Sequence, residues 1–360
     1  MSASICEIVS AEAVQQRLRE SFGFDNMMPD STETLRYVLS PENVATAGVT
    51  RITGRPSKVN PVKIIHDQRL LESDVLEGRG ECTTDNPECD LVQTYNFDTT
   101  AAYNSAFFAD PKELAGTTEE NSGFIARKIQ KHIAAVDQKM ARLLAESIAA
   151  QKGGWSADTA NIRGVNLSGN VLQVNDYIGT TGTPNPVLFQ QIRRAMRLSR
   201  IEGGIVSGGS ALVDFFERSF SRNGADSGWD VTEMLNRYGF APVYDRFLAE
   251  ELDSVDGSTN VAIGRGSVIP LAFCLFEDEY NKMRDSTNLA DILYSPYTGA
   301  KYDFKINRAC AEDPWSITVT GTMQFVTLPD YMYKSGDNLE GTKALASIEV
   351  SCTDLQPCQA

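Results

Sequence analysis

Residues 117–152 carry apolar side chains at steps of three and four, the spacing of one face of an α-helix. The stripe consists of Ile125, Ile129, Ile133, Val136, Met140, Leu143, Leu144 and Ser147 or Ile148. Thr117 and Glu120 have the spacing of a capping box, and Gly153 with Gly154 provide a stop. The pattern therefore predicts one amphipathic helix of about 43 to 53 Å, far longer than the average helix of a globular protein.

A helix of this length fits awkwardly into a compact domain of a 360-residue chain. Three interpretations are open: a core helix, half of a coiled coil, or the backbone of a subunit spread over a larger surface. Because no sustained heptads occur elsewhere, the coiled coil is the weakest of the three.

Two stretches alternate in the manner of β-strands. Residues 58–108 predict a long hairpin, with an acidic, turn-rich tip at 77–90 that is too polar to bury. This tip is either a surface loop or a finger whose contacts come from neighbouring subunits. Further along, alternation over 302–307 and again over 315–325 predicts an antiparallel hairpin with one buried face.

The remaining elements are shorter. Helical patterns cover residues 187–200 and follow Ser210, and strands are predicted at 241–244, 261–263 and 268–276, with a possible last strand at Ile348 and Val350. Residues 153–186 have the composition of an irregular connection. Residues 1–60 have little core of their own, which predicts a flexible arm or a strap lying on another subunit.

Charge is distributed unevenly along this chain, whose formal net charge is −15. Residues 201–360 contain 12 basic and 24 acidic side chains, whereas residues 121–152 contain six basic and two acidic ones. An acidic field opposes non-specific nucleic-acid binding by the surface as a whole. The basic stretches, including the arginines of 193–200, are either solvated faces or local sites beside a phosphate backbone.

Residue types that carry chemistry are sparse. The seven cysteines form no CxxC pair, and His66 and His132 are the two histidines, so a structural zinc site is not expected. Neither of the glycine-rich nucleotide-binding motifs occurs. An enzyme would have to use an acid–base pair among the 48 carboxylates. We therefore expect no enzyme activity, no cofactor and no metal.

Three stretches, together with the order of elements, carry a resemblance to a known family. They are Gly54-Arg-Pro-Ser-Lys-Val-Asn, the acidic cysteine-bearing tip at 81–90, and Tyr302-Asp-Phe-Lys-Ile-Asn-Arg-Ala-Cys, which leads to Trp315 and ends at Leu328-Pro329. The chain resembles the major capsid proteins of tailed phages, which have the Hong Kong 97 fold. Within that family it is most similar to shell proteins of phages and prophages of Bacteroidetes-type hosts.

The resemblance implies an α+β, Hong Kong 97-type fold. Its parts would be an N-terminal arm (1–57), an extended E-loop hairpin (58–110), a P-domain (111–202 and 290–350) containing the spine helix (117–152), an A-domain (203–289) and a C-terminal tail (351–360). The long helical extension that precedes the arm in the founding member is missing, which leaves open whether a separate scaffolding protein is used.

The resemblance also implies a self-assembling shell of hexamers and pentamers around double-stranded DNA. Further partners would be a portal protein and a scaffolding or decoration protein, with no membrane; the product would reside in the virion after assembly in the host cytoplasm. The residues expected to face the genome are Arg127, Lys128, Lys131, Lys139, Arg142, Arg193, Arg197 and Arg200. Those expected at the tip of the E-loop, in contact with neighbouring subunits, are Glu81, Cys82, Asp85, Cys89 and Asp90.

Two alternative functions remain open. A cellular compartment shell of the encapsulin type would share the fold and enclose enzymes instead of a genome. A soluble enzyme using a carboxylate pair is the alternative from a different class.

Overall fold

The computed structural model describes residues 31–41, 43, 59–66, 91–110, 121–178, 183–201, 203–221, 239–253, 257–284, 288–307, 314–327 and 345–351. Helices within these residues are α1 (Glu33–Val38), α2 (Asn121–Gln151), α3 (Leu188–Leu198), α4 (Ala211–Ser221) and α5 (Arg246–Glu251). Short 3₁₀ helices lie at Ala157–Asn161, Leu275–Glu277 and Glu279–Asn281. With the strands below, they confirm the predicted α+β class.

The strands in chain order are β1 (Val59–His66), β2 (Leu91–Asp98), β3 (Tyr103–Ala109), β4 (Val165–Ser168), β5 (Val171–Asn175), β6 (Tyr177–Ile178), β7 (Thr183–Pro184), β8 (Gly204–Gly208), β9 (Phe240–Tyr244), β10 (Thr259–Ile263), β11 (Val268–Ala272), β12 (Met283–Arg284), β13 (Asn288–Tyr294), β14 (Lys301–Asn307), β15 (Trp315–Gly321), β16 (Met323–Thr327) and β17 (Leu345–Ser351). A mixed six-stranded sheet has the order β4-β5-β17-β10-β8-β9, and an antiparallel five-stranded sheet has the order β12-β13-β14-β15-β3. The pairs β1-β2, β6-β7 and β11-β16 form sheets of their own.

Helix α2 confirms the predicted long helix over its 31 described residues, about 46 Å at 1.5 Å per residue. The apolar stripe is buried: Ile129, Ile133, Met140 and Ile148 are 0% exposed. The predicted capping residues at 117–120 lie outside the described residues. Helix α2 packs on β3 and β15 of the five-stranded sheet and on β16 of the β11-β16 pair.

The C-terminal end of α2 reaches the other sheet. Gly153 N donates to Leu345 O at 2.8 Å, and Trp155 Nε1 donates to Ser347 O at 2.6 Å, which ties this end to β17. One helix therefore bridges both large sheets. A close approach fixes its middle, because a Cβ at Gly321 would come within 2.8 Å of Val136 Cγ1.

The hairpin predicted over 58–108 is confirmed in part. Strands β1 and β2 pair antiparallel from Val59 opposite Asp98 to His66 opposite Leu91. Strand β3, which the pattern assigned to the same hairpin, instead pairs with β15. The chain turns after Asp98 because Asp98 Oδ1 accepts from Thr100 N (2.8 Å) and Thr100 Oγ1 (2.6 Å). The alternation of apolar and polar residues continues through this turn. The sequence pattern alone therefore could not show that the hairpin ends at Asp98.

The hairpin predicted from 302–307 and 315–325 is confirmed by the pairing of β14 with β15. The prediction that the second strand runs unbroken to Phe325 is wrong, because β15 ends at Gly321. After Thr322 the chain continues as a separate strand, β16, which pairs with β11. Strand β11 itself ends at Ala272 rather than at residue 276. Beyond it, the Asp303 carboxylate accepts from Leu275 N (2.8 Å) and Phe276 N (2.9 Å), which bends the backbone into a 3₁₀ turn.

Two segments expected to be loose are structured within the chain. Around α1, Leu35 is 0% exposed, and the Asn43 side chain bonds Val38 O, Val268 O and Gly266 N. The expectation of an arm lying elsewhere is therefore wrong for residues 31–41 and for Asn43. The connection 153–186 contains β4 and β5, because Leu172 and Val174 alternate into the core.

Strand β17 confirms the predicted last strand, and it lies at the centre of the six-stranded sheet rather than at its edge. It pairs with β10 on one side and with β5 on the other. This sheet thus joins strands from 111–202, 203–289 and 290–350. The predicted division into P- and A-domains stays a prediction, and it does not coincide with a division between sheets.

Candidate functional surfaces

The basic residues of α2 divide into engaged and accessible side chains. Arg142 pairs with Glu250 of α5 at 2.9 Å, and its guanidinium lies 4.9 Å from the Phe247 ring. Lys139 lies 5.0 Å from the centre of the Tyr103 ring. Lys131 is exposed and pairs with no carboxylate within the described part of the chain. Arg142 thus links α2 to α5, whereas Lys131 is open to a partner.

Glu250 holds the Arg142 side chain in place. It also pairs with Arg246, one helical turn earlier, at 2.8 Å. The hydrogen bond from Arg246, followed by the charges of Arg246 and Arg142, lowers the pKa of Glu250. The carboxylate is therefore ionised near neutral pH and holds both cations.

Helix α3 presents a second basic face beside the six-stranded sheet. Its buried side includes Ile192 and Ala195, each 0% exposed, and Phe189 packs against an aromatic cluster of α4 and β9. On the opposite side Arg194 and Arg197 are exposed. The structure thus places the predicted basic residues on α2 and on α3, with Arg200 two residues beyond the end of α3. Arg194, absent from the predicted set, is more accessible than Arg193 or Arg200, which are half-buried.

The residues predicted at the E-loop tip, Glu81, Cys82, Asp85, Cys89 and Asp90, lie outside the described residues. The base of that hairpin is described. Phe97 is 0% exposed and clusters with Ile269, Leu271 and Val326, with Val62 and Tyr95 packed against them. The described contacts of the hairpin with the rest of the chain therefore lie in the half nearest Val59 and Asp98.

A buried carboxylate that the sequence pattern did not single out lies at the middle of α2. Asp137 is 0% exposed and accepts from Ser295 Oγ (2.5 Å), Thr298 Oγ1 (2.8 Å) and Tyr302 OH (2.5 Å). Burial raises its pKa to about 6, although the three hydroxyls oppose this shift. The cluster fastens α2 to the turn between β13 and β14. The sequence contained one signal for this site, because a charged residue lies between Val136 and Met140 of the apolar stripe.

This cluster predicts a pH dependence of stability. The pKa of Asp137 is higher in the folded chain than its ordinary 3.8, so its contribution to stability is present below pH 4 and is lost as pH rises to about 6. We expect Asp137→Asn to remove that loss. The difference in melting temperature between variant and wild type, measured from pH 4 to 7, should change in favour of the variant as pH rises. A difference that stays constant over this range would contradict the prediction.

Asp245 holds α1 and α5 together in a similar way. Its carboxylate caps α5 by accepting from Leu248 N at 3.1 Å, and Arg246 N donates to Ser31 Oγ at 3.0 Å. Burial raises the pKa of Asp245 to about 6, against the hydrogen bond from Thr34. These contacts tie Ser31 and α1 to α5.

His132 is the histidine whose side chain is described. Its ring stacks on Phe107 of β3 at 4.3 Å, and Nδ1 lies 2.6 Å from Ser105 Oγ. Partial burial, and then the charges of Lys128 and Lys131, lower its pKa. The neutral ring thus serves as packing between α2 and β3.

Three of the buried carboxylates in the described residues make contacts of this kind. Asp137, Asp245 and Asp303 each accept hydrogen bonds from hydroxyls or backbone N–H groups of their own chain. Cys274 is a free cysteine whose pKa is raised to about 12 by burial and by the charges of Asp303 and Glu277, so its thiol is unreactive near neutral pH. Within the described ranges, no three His, Cys, Asp or Glu side chains form a group able to hold a metal ion.

None of the helices in the described residues is both long enough and apolar enough to cross a membrane. Several large apolar side chains are nevertheless exposed. Tyr280 is fully exposed, and Phe108 is 75% exposed on β3. Such side chains are candidates for burial against another chain.

No family model matches the chain, and no curated protein matches it. Solved structures similar to it include the capsid of Ralstonia phage GP4, which is 11% identical, with 91% of this chain and 93% of that chain covered and a TM-score of 0.45. The capsid asymmetric unit of cyanophage A-1(L) is 10% identical, with coverages of 87% and 93% and a TM-score of 0.43. The capsid of cyanophage P-SCSP1u is 11% identical, with coverages of 83% and 84% and a TM-score of 0.40.

Proposed function

We propose that this chain is the major capsid protein of a tailed phage, with a Hong Kong 97-type fold, and that many copies assemble into an icosahedral shell around double-stranded DNA. The observation that carries the proposal is the β1-β2 hairpin. It pairs only with itself among the described strands, and its eight residue pairs extend about 26 Å from the base. Since an isolated two-stranded hairpin is marginal in water, its outer half needs contacts from another subunit.

Helix α2 supports the same proposal. Its 31 residues bridge both large sheets, which suits a subunit spread along a shell rather than a compact enzyme domain. The sequence resemblance in residues 54–60, 81–90 and 302–310 supports the finer proposal that the phage or prophage belongs to a Bacteroidetes-type host. Hexamers and pentamers of the chain, a portal protein and a scaffolding or decoration protein would then be its partners, and the virion its location after assembly in the host cytoplasm.

Imaging the expressed full-length chain tests this function. After size-exclusion chromatography and negative staining we expect closed particles of uniform diameter. A discrete 39.5 kDa species under all conditions would contradict the proposal. Particles from the native source should contain nuclease-protected double-stranded DNA. Protein cargo in its place would favour an encapsulin-type compartment.

We also propose that the accessible part of the predicted basic set faces the genome. Lys131 on α2 and Arg197 on α3, with the neighbouring Arg194, are exposed and carry no ion pair to the rest of the described chain. Contacts of this kind would be non-specific and would weaken with salt, because binding releases counterions from the phosphate backbone.

The triple variant Lys131→Gln, Arg194→Gln, Arg197→Gln should therefore bind a short DNA duplex more weakly than wild type. The slope of log affinity against log salt should fall by about 2 to 3, at about 0.9 per lost contact. Fluorescence anisotropy over a salt series measures this slope. Arg142→Gln is the control, because Arg142 is held by Glu250 and its removal should leave the slope unchanged. An unaltered slope in the triple variant would place the genome contacts elsewhere.

A further inference from the structure

The free edge of β3 differs from the other outer edges of the two large sheets in the described chain. Strand β12 has two residues, β4 has four, and β9 contains Pro242, each of which limits pairing with another chain. Strand β3 has seven residues, Tyr103–Ala109, with neither proline nor charge. One of its edges pairs with β15, and no described strand pairs with the other. This is the kind of edge that accepts a further strand.

One face of β3 is also open. Asn104, Ala106 and Phe108 are exposed on the side away from α2, and Phe108 is 75% exposed. Their neighbours on β15 are the polar Thr320, Thr318 and Ser316. An aromatic side chain at this position is stabilised by burial against a partner, because burial removes its apolar surface from water.

We propose that the free edge of β3 pairs antiparallel with β3 of a second copy of this chain across a two-fold axis, which joins two five-stranded sheets into one. The inference rests on the proposed self-assembly and names one of its contacts. A two-fold contact is isologous, so the strand must be complementary to itself. Because β3 has no charge, self-pairing places no like charges opposite each other.

Side chains alternate between the two faces of a strand, and this alternation limits the register in which two copies of β3 can pair. Residues on one face must oppose residues on the same face, and among such registers the one centred on Ala106 overlaps all seven residues. Ala106 then opposes Ala106 of the second copy. Phe108 opposes Asn104 of that copy and lies diagonally beside its Ala106, so both aromatic side chains gain an apolar neighbour.

The same pairing brings two copies of the α2 flank beside β3 close together. Lys131 on this flank is exposed, and its charge acts on His132, which stacks on Phe107. Like charges across the axis oppose association until salt or phosphate groups screen them. The contact should therefore strengthen with ionic strength, in contrast to one built on ion pairs.

Single cysteine variants test the register. Under mild oxidation Ala106→Cys should form a disulfide-linked dimer on a non-reducing gel, because each new thiol opposes its own copy. Asn104→Cys should not form this dimer, because Asn104 opposes Phe108; the double variant Asn104→Cys, Phe108→Cys should. Wild type gives the background from the seven native cysteines. Absence of a dimer above background with Ala106→Cys, or equal dimer with Asn104→Cys, would overturn the inference.

Assembly provides a second measurement. Ala106→Lys places two ammonium groups opposite each other and should yield separate capsomers in place of closed particles, while the melting temperature stays near that of wild type. Thr318→Lys is the matched control, because Thr318 lies on the same face but on the interior strand β15. Closed particles from Ala106→Lys would overturn the inference and leave the proposed function intact. A wild-type chain that forms no particles would count against the proposed function, while the disulfide test still decides the β3 contact.

Discussion

Replacing Ile133 by proline should leave no folded, assembling chain. Proline at this position removes one backbone hydrogen bond of α2 and clashes with the preceding turn, which costs about 3 kcal/mol or more. The substitution also removes an isoleucine side chain that is 0% exposed. Losses of this size approach the whole stability of a typical domain. Circular dichroism with a thermal melt, together with the soluble fraction after expression, measures the effect.

Two further substitutions separate the causes. Ile133→Val keeps the helix and should cost about 0.5 to 1.5 kcal/mol. Ala135→Pro adds the same backbone defect at an exposed position, so it should nearly reproduce the loss caused by Ile133→Pro. If Ile133→Pro melted like wild type and still assembled, α2 could not be the element that joins the two sheets.

The position of Ile133 explains why the damage would spread. Helix α2 packs on β3 and β15 through this part of its stripe, and Asp137, one turn later, holds the turn between β13 and β14. Its C-terminal end is tied to β17. A kink at residue 133 therefore misplaces contacts with both large sheets at once, rather than with one neighbouring element.

Local patterns predicted those elements whose cause is local. The steps of three and four in α2, and the alternation in β14 and β15, each depend on one buried face, and the structure confirms them. The pairing of β16 with β11 and the central place of β17 were not predictable in this way. Strand alternation looks the same whichever strand lies beside it, so partners must come from tertiary contacts.

The candidate site residues show the same limit. Counting charges identified a basic α2, but it could not reveal that Arg142 is held by Glu250, 108 residues later in the chain. Asp137 was missed because its hydroxyl partners come from residues 295–302, which a helical pattern does not include. Sequence therefore indicated where cations are concentrated, and the fold decides which of them are accessible.

The hairpin provides the second large expected effect. Replacing residues 67–90 with a two-residue Asn-Gly turn should leave the chain folded and abolish closed particles. Strands β1 and β2 end at His66 and Leu91, which already face each other, so a tight turn can join them without strain. The buried base is untouched, because Phe97 and its cluster lie at the other end.

A matched variant at the base separates assembly from stability. Phe97→Ala should destabilise the subunit by about 3 to 5 kcal/mol, because Phe97 is 0% exposed against Ile269, Leu271 and Val326. The shortened hairpin should instead melt near the wild-type temperature and elute as subunits or capsomers. The two variants therefore fail for different reasons, one by unfolding and the other by losing contacts with neighbours.

The combination of a melt and light scattering decides between the two classes of function. In a compact enzyme the segment 67–90 would cover the chain's own surface, so its removal would lower the melting temperature or expose the core. In a shell subunit its contacts lie on other copies, so the fold survives while assembly stops. Full-sized closed particles from the shortened chain would show that this end of the hairpin is not an assembly element. A melting temperature far below that of wild type would show that it belongs to the subunit's own core.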